Sequence, residues 1–273
     1  MSIFVIVPAR NEEKNIADSL GSVLEQTVKP SKIIVVLDRC TDKTEDIVTD
    51  LSKAHEEIVK IIKSDTKYQN TFMKGFVVAE TVNKGLESIE SFPEFLMIAN
   101  ADSVYSKNYI ESALSIFDKD AKCGLAGYSH YSNISGSGYV IRSNVLAKLG
   151  NRLKECAAED TYLQFSVLNQ GYTIKPIENV EAKLLRERGK GSIADRIRYA
   201  FAKGYASYTL GYSFGFEILR TGYWILKGRF SHIGIIFGFL YAIFTKPEKL
   251  DIAYTPIPKK WQKNRIDDVF SIK

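Results

Sequence analysis

Residues 94–103, EFLMIANADS, hold an unbroken apolar run from Phe95 to Ala99 that stops at a polar corner, Asn100-Ala101-Asp102. An uninterrupted run bounded by turn-forming residues fits a strand covered on both faces, since a half-exposed strand would alternate. Working outward, residues 2–27, SIFVIVPARNEEKNIADSLGSVLEQT, open on a β-branched run and turn at Pro8 to Asn11. Helical spacing follows through Ile16, Leu20, Val23 and Leu24. Residues 32–51, KIIVVLDRCTDKTEDIVTDL, repeat the form. Ile33 to Leu37 are apolar, Asp38 ends the run, and Thr44 is placed to cap a helix through Leu51. Residues 57–64, EIVKIIKS, read as another strand, and residues 75–89, GFVVAETVNKGLESI, as a helix ending near Gly85 or one turn beyond.

Strands alternating with helices predict an α/β fold with a Rossmann-like, mainly parallel sheet flanked by helices. Ligands of such sheets bind at the carboxyl ends of the strands, where Asp38, Asn100 and Asp102 all fall. Residues 124–150 read as mixed strands and turns, with Gly136 and Gly138 permitting close backbone approach. Residues 158–172, AEDTYLQFSVLNQGY, form a predicted helix that begins near Glu159 and Asp160 and closes at Gly171.

The last quarter changes character. Tyr208 to Thr245 is rich in aromatics and glycine, and FSHIGIIFGFLYAIFT, residues 230–245, has His232 as its only ionisable side chain. It falls short of the roughly 20 residues that span a bilayer. Two readings stand: a buried core helix, or a re-entrant or interfacial membrane helix flanked by Lys227, Arg229 and Lys246. Residues 208–228 carry Glu217 and Arg220, which suits an interface better than a span. The expected organisation is an α/β domain over 1–205, an apolar aromatic helical appendage over 206–250 and a basic tail over 251–273.

With 273 residues, 45% hydrophobic and 25% charged, the chain can bury one substantial core, and disorder is excluded. A net charge of +5 is too modest to suggest a nucleic-acid protein. Lys183, Arg186, Arg188, Lys190, Arg196, Arg198 and Lys203 stand against Glu187 and Asp195, so this one segment (seven minus two) matches the whole net charge. It is either a solvated helix face or a site for phosphates of a substrate or a lipid surface. Cys40, Cys123 and Cys156 lack the spacing of a disulfide framework or a zinc site, which fits a reducing compartment. No secretory signal is visible at the amino terminus, so a cytoplasmic location is expected. His55, His130 and His232 form no motif and read as structural. No P-loop and no G-x-G-x-x-G follows the first strand, which argues against a kinase or dinucleotide enzyme.

VIVPARNEEKNI, VVLDRCTDKT, IANADS and AAEDTYLQFSVLNQGY, in this order, resemble the motifs of the inverting family 2 glycosyltransferases, which have the GT-A fold. The resemblance covers roughly residues 1–205. It implies that Pro8, Ala9 and Glu12 lie against the nucleotide and that Asp38 accepts a hydrogen bond from the base. An acidic residue on a rigid strand end can read a base N–H, although Asp38 could equally bond its own turn. Asn100-Ala101-Asp102 sits where the family usually has Asp-x-Asp, implying a divalent cation, Mn2+ or Mg2+, with Asp102 as its direct ligand. Asn100 supplies a neutral carbonyl there, so weaker metal binding is expected.

Glu159-Asp160 resembles the family's E-D pair, with Asp160 the implied general base; at a helix start an Asp can instead cap or complement the dipole. Arg196, Arg198 and Tyr199 match loosely an aromatic and basic motif, and their arginines would suit a diphosphate or an acceptor phosphate. The implied activity is transfer of a sugar from a nucleotide-diphosphate-sugar donor, with inversion, to an acceptor hydroxyl or phosphate. The aromatic appendage and basic segment suggest a lipid-linked or polyprenyl phosphate acceptor, and peripheral attachment at the cytoplasmic face of a membrane. A sugar nucleotidyltransferase would need a glycine-rich, basic first loop, whereas PARNEEKN is acidic and glycine-free. A non-catalytic nucleotide-sugar-binding or scaffold protein on the same fold is the other alternative.

Overall fold

The structure is a computed structural model that describes residues 1–68, 73–130, 133–134, 136–186 and 192–271. The chain runs β1 (Ile3–Ala9), α1 (Ile16–Leu24), β2 (Lys32–Asp38), α2 (Thr44–Ala54), β3 (Val59–Ser64), α3 (Lys74–Glu87), β4 (Phe95–Ile98), β5 (Ser103–Tyr105), α4 (Tyr109–Lys119) and β6 (Cys123–Gly127). There follow β7 (Ser129–His130), β8 (Asn133–Ile134), β9 (Tyr139–Arg142), α5 (Ser143–Ala147), α6 (Glu159–Asn169), β10 (Thr173–Pro176), β11 (Ala182–Leu184), α7 (Ile193–Thr209), α8 (Phe214–Leu226), α9 (Ile233–Thr245) and α10 (Ile257–Ser271).

By backbone contacts the chain divides into two compact units, the first made of Met1–Gln69, Val77–Lys154 and Gln170–Glu187. Among its described residues, seven strands form one sheet in the order β10-β6-β9-β4-β1-β2-β3. All neighbours pair in parallel except β9, which runs antiparallel to β4 and β6. The apolar runs are the reason: every residue of β4 is buried, and so are Ile33 to Asp38 of β2. Such strands are stable only with helices over both faces. Each fully buried Val, Ile or Leu contributes about 1.5–3 kcal/mol. The register sets Ile6 beside Ile98 and Ala9 beside Leu37, so the three loops that follow Ala9, Asp38 and Ile98 leave the same edge of the sheet.

One local expectation changes. Thr44 does not cap α2; it is the first helical residue, and the helix continues to Ala54. Its hydroxyl instead donates to Asp42 Oδ1 and accepts the Glu12 N–H at 2.7 Å, tying the second loop to the first. α3 ends at Glu87, within a turn of Gly85 as the sequence suggested, and a Cβ added at Gly85 would come within 2.9 Å of Ile6. Glycine there lets the helix lie close on the sheet. Gly138 has φ +75 and abuts Tyr105, and Gly171 has φ +81 just after α6, as the sequence suggested.

The second unit comprises Asn70–Phe76, Glu155–Asn169 and Arg188–Lys273. Its core gathers Phe165, Leu210, Tyr212, Phe216, Phe239 and Ile252, with Trp261 stacked on Tyr212 at 5.3 Å between ring centroids. α7 begins at a capping box between Ser192 and Asp195 and runs without a break through residue 205, where the sequence suggested the first domain to end. Residues 230–245 divide into a 3₁₀ turn over Phe230–His232 and α9, whose one face packs on α7. Among the described residues no helix is long and apolar enough to cross a membrane.

Candidate active site

The polar corner after β4 is held from several sides. Ser19 of α1 donates to the Asn100 carbonyl at 2.9 Å, and the Asn100 N–H donates to the Tyr105 hydroxyl at 3.0 Å. That hydroxyl pairs with Ser137 at 2.7 Å, and Ser137 donates to Ser103 at 3.1 Å. Burial pushes the Tyr105 phenol up to about 12, so it stays neutral and serves purely as a hydrogen-bonding post. Ala101 is buried behind the corner, while Asp102 keeps partial access to solvent.

β11 delivers an arginine to this corner. It pairs antiparallel with β5, Leu184 opposite Ser103, and the Leu185 N–H donates to the Asp102 carbonyl at 2.7 Å. Arg186 therefore leaves the strand beside Asp102. Its Nε lies 3.6 Å from Asp102 Oδ2, and its Nη2 donates to Glu12 Oε1. Glu12 is 9% exposed and also accepts from Asn15 Nδ2 at 2.8 Å. Two carboxylates from separate loops thus share one guanidinium, which marks this point as a locus for positive charge.

Its oxygen donors suit a hard divalent cation. Among the described residues no group of three or more His, Cys, Asp or Glu is arranged to hold a metal. The protein would supply Asp102, with Glu12 nearby, and the remaining coordination would come from phosphate and water, the usual pattern for magnesium at diphosphates. Glu12 and Asp102, both singled out in the sequence, are brought together. Arg186 was read only as part of a basic segment; the β5–β11 pairing that positions it is not visible in the sequence.

Asp38 lies on the same edge but is 1% exposed and already enclosed. Thr66 donates to it from its N–H at 3.0 Å and its hydroxyl at 3.2 Å, and Arg39 donates at 2.9 and 3.2 Å. Arg39 takes the left-handed φ of +47 that turns its side chain back onto Asp38. Pro8 and Ala9 are the last two residues of β1 and pair with Val36 and Leu37 of the strand that ends at Asp38.

Glu159 and Asp160 occupy the first turn of α6 in the second unit. Asp160 accepts the Thr161 N–H at 2.6 Å and its hydroxyl at 3.3 Å. Burial, reinforced by the Asp160 charge, pushes the Glu159 carboxyl up to about 8. Gly75 allows this packing, because a Cβ there would strike the Glu159 carboxylate and the Cys156 backbone. Arg196, Arg198 and Tyr199 are exposed on α7, and Arg198 pairs with Asp195 at 3.5 Å, as a solvated helix face would. Of the rest of the basic segment, Arg188 and Lys190, with Glu187, lie outside the described residues.

Residues 4–175 match the family described as Glycosyl transferase family 2. The chain belongs to that family. Among curated proteins, this family 2 chain is 25% identical over 209 residues to "Probable glycosyltransferase YdaM" of Bacillus subtilis (strain 168), covering 63% of this chain and 48% of that protein. It spans about half the length, or less, of the curated relatives it matches. Among solved structures it resembles a mannosyltransferase from Pyrobaculum calidifontis, PcManGT, in complex with GDP-Man and Mn2+. The TM-score is 0.63 at 18% identity, over 98% of this chain and 84% of that one. S. aureus TarS 1-349 in complex with UDP matches at TM-score 0.51 and 17% identity, over 74% of this chain and 65% of that one. These likenesses establish the GT-A fold expected from the sequence.

Proposed function

We propose that this family 2 chain transfers a sugar from a nucleotide-diphosphate-sugar donor to an acceptor, with inversion at the anomeric carbon. The observation that carries the proposal is that Glu12 and Asp102, both inside the family-matched segment, share the Arg186 guanidinium at the carboxyl edge of the sheet. The cation locus lies where the donor's diphosphate would sit.

Pro8 and Ala9 offer a rigid strand end to the nucleotide, and Asp38 faces the base once Arg39 turns aside. A divalent cation held at Asp102 would neutralise the diphosphate and the departing nucleoside diphosphate. PcManGT was solved with Mn2+, which supports a metal here as well. Asp160 takes the proton of the acceptor hydroxyl while that oxygen attacks from the face opposite the diphosphate. The bond from the anomeric carbon to phosphate oxygen breaks, its electron pair leaving with the nucleoside diphosphate. Glu159 stays protonated near neutrality beside Asp160.

Arg196 and Arg198 would receive an acceptor phosphate, which fits a polyprenyl phosphate or a lipid-linked glycan at the cytoplasmic face of a membrane. Asp160→Asn tests the base. The variant should keep the thermal shift produced by its sugar nucleotide and lose turnover by at least about a hundredfold; unchanged turnover would remove Asp160 from the role.

A further inference from the structure

α8 is inverted relative to a helix that faces water. Its inner side carries Glu217 and Thr221, both buried, with Arg220 only 2.5 Å from Glu217. Burial raises the Glu217 carboxyl above its ordinary range. Its outer side shows Ile218, Leu219, Tyr223 and Leu226, the last 89% exposed. Charge inside and hydrocarbon outside is the arrangement of a helix whose surroundings are apolar.

α9 repeats the pattern by a different route. It packs on α7 through glycine: an added Cβ at Gly238 would strike the Phe201 carbonyl, and one at Gly204 the Ile235 carbonyl. Close backbone approach through small residues is how helices associate when their large side chains are needed elsewhere. Tyr241 sets its ring beside Phe201 and Tyr205 of α7, whereas Phe237 and Phe244 stand out from the helix, 57% and 82% exposed. Phe230, in the turn between the two helices, is 71% exposed.

Water-soluble monomers do not keep apolar faces of this kind without a partner. The charge around them identifies it. From Phe214 to Thr245 the only acidic side chain is the buried Glu217, while Lys227 and Arg229 are exposed in the turn and Lys246 directly follows α9. At 13 residues α9 is about 20 Å long, too short to cross hydrocarbon about 30 Å thick. We propose that α8, the Phe230–His232 turn and α9 form a docking face for an anionic bilayer, sinking Leu226, Phe230, Phe237 and Phe244 below the headgroups while Lys227, Arg229 and Lys246 meet lipid phosphate. This goes beyond the donor chemistry and names the surface by which the chain would meet a lipid-borne acceptor.

The test is cosedimentation of the full chain with phosphatidylcholine vesicles, with and without phosphatidylglycerol, alongside size-exclusion chromatography. Wild type should pellet with the mixed vesicles, and Phe237→Ser/Phe244→Ser should weaken binding by at least about tenfold. Lys227→Glu/Arg229→Glu should abolish the preference for phosphatidylglycerol. Thermal unfolding of both variants should match wild type, because the altered side chains are exposed. Equal sedimentation of wild type and the serine variant would overturn the proposal. So would a wild-type chain that ignores vesicles and elutes as a dimer that the serine variant dissociates, which would assign the face to a second copy. Neither donor nor acceptor is present, so failure here leaves the transferase proposal intact.

Discussion

Arg186 and Asp102 face each other across 3.6 Å while the same guanidinium donates to Glu12. An arginine and a divalent cation cannot both occupy the space in front of Asp102, so cation binding must displace or tilt the side chain. Half-exposed, Arg186 can move without disturbing the core.

Arg186→Ala should therefore bind Mn2+ more tightly than wild type in the absence of any donor, by about threefold or more, consistent with the modest value of a partly exposed ion pair. Asn100→Asp, which adds a carboxylate to the same corner, should move the affinity in the same direction. Titration by electron paramagnetic resonance reads both. Unaltered or weaker Mn2+ binding in Arg186→Ala would show that the arginine is not a competitor for the site.

Thr66→Val removes a hydroxyl donor to a carboxylate that is 1% exposed, and also the acceptor that Arg39 uses at 2.5 Å. Leaving a buried anion short of a donor costs about 1–3 kcal/mol. Urea unfolding should show a loss of that size, with donor-nucleotide affinity falling as well if Asp38 is to stay aimed at the base.

The strands were legible because Phe95 to Ala99 and Ile33 to Leu37 are continuous apolar runs, a pattern that only burial on both faces explains. Asp38 was legible because it ends one such run, and Asp102 because it lies in the polar corner that ends the other. Arg186 and Thr66 were not. Each reaches its carboxylate through pairing between distant segments, β11 on β5 and β3 on β2, and carries no local pattern. The role of Thr44 was misjudged because a capping residue and a residue tying two loops together look alike in sequence. The outward apolar faces of α8 and α9 were also out of reach, because composition reports how apolar a helix is and not which side its neighbours cover.

Glu159 gives a pH signature with a definite sign. Folded, its carboxyl holds a proton up to about pH 8; its ordinary value is 4.5. Between those values the folded chain binds more protons than the unfolded chain, so this group's contribution to stability is full below the lower value and lost as pH rises through the window. Glu159→Gln should remove that dependence. The difference in urea midpoint between wild type and variant should shift steadily across the window and level off above about pH 8; a constant difference would mean that Glu159 titrates normally.

The glycines of the second unit should separate cleanly. Gly238→Ala places a methyl against the Phe201 carbonyl and should destabilise by about 1–3 kcal/mol. Gly222→Ala, in the interior of α8 with nothing within 4 Å of the new methyl, should stabilise by about 0.5–1 kcal/mol. Thermal melts of the two variants read opposite signs if α9 packs on α7 by backbone approach.

The most direct measurement is release of nucleoside diphosphate from a panel of UDP- and GDP-sugars with Mn2+ or Mg2+, wild type beside Asp102→Ala. The expected result is slow hydrolysis of one donor by wild type, lowered at least about a hundredfold in the variant. Equal turnover by Asp102→Ala, or a wild-type chain that neither hydrolyses nor is thermally stabilised by any donor, would contradict a sugar-nucleotide site at the Glu12–Arg186–Asp102 corner.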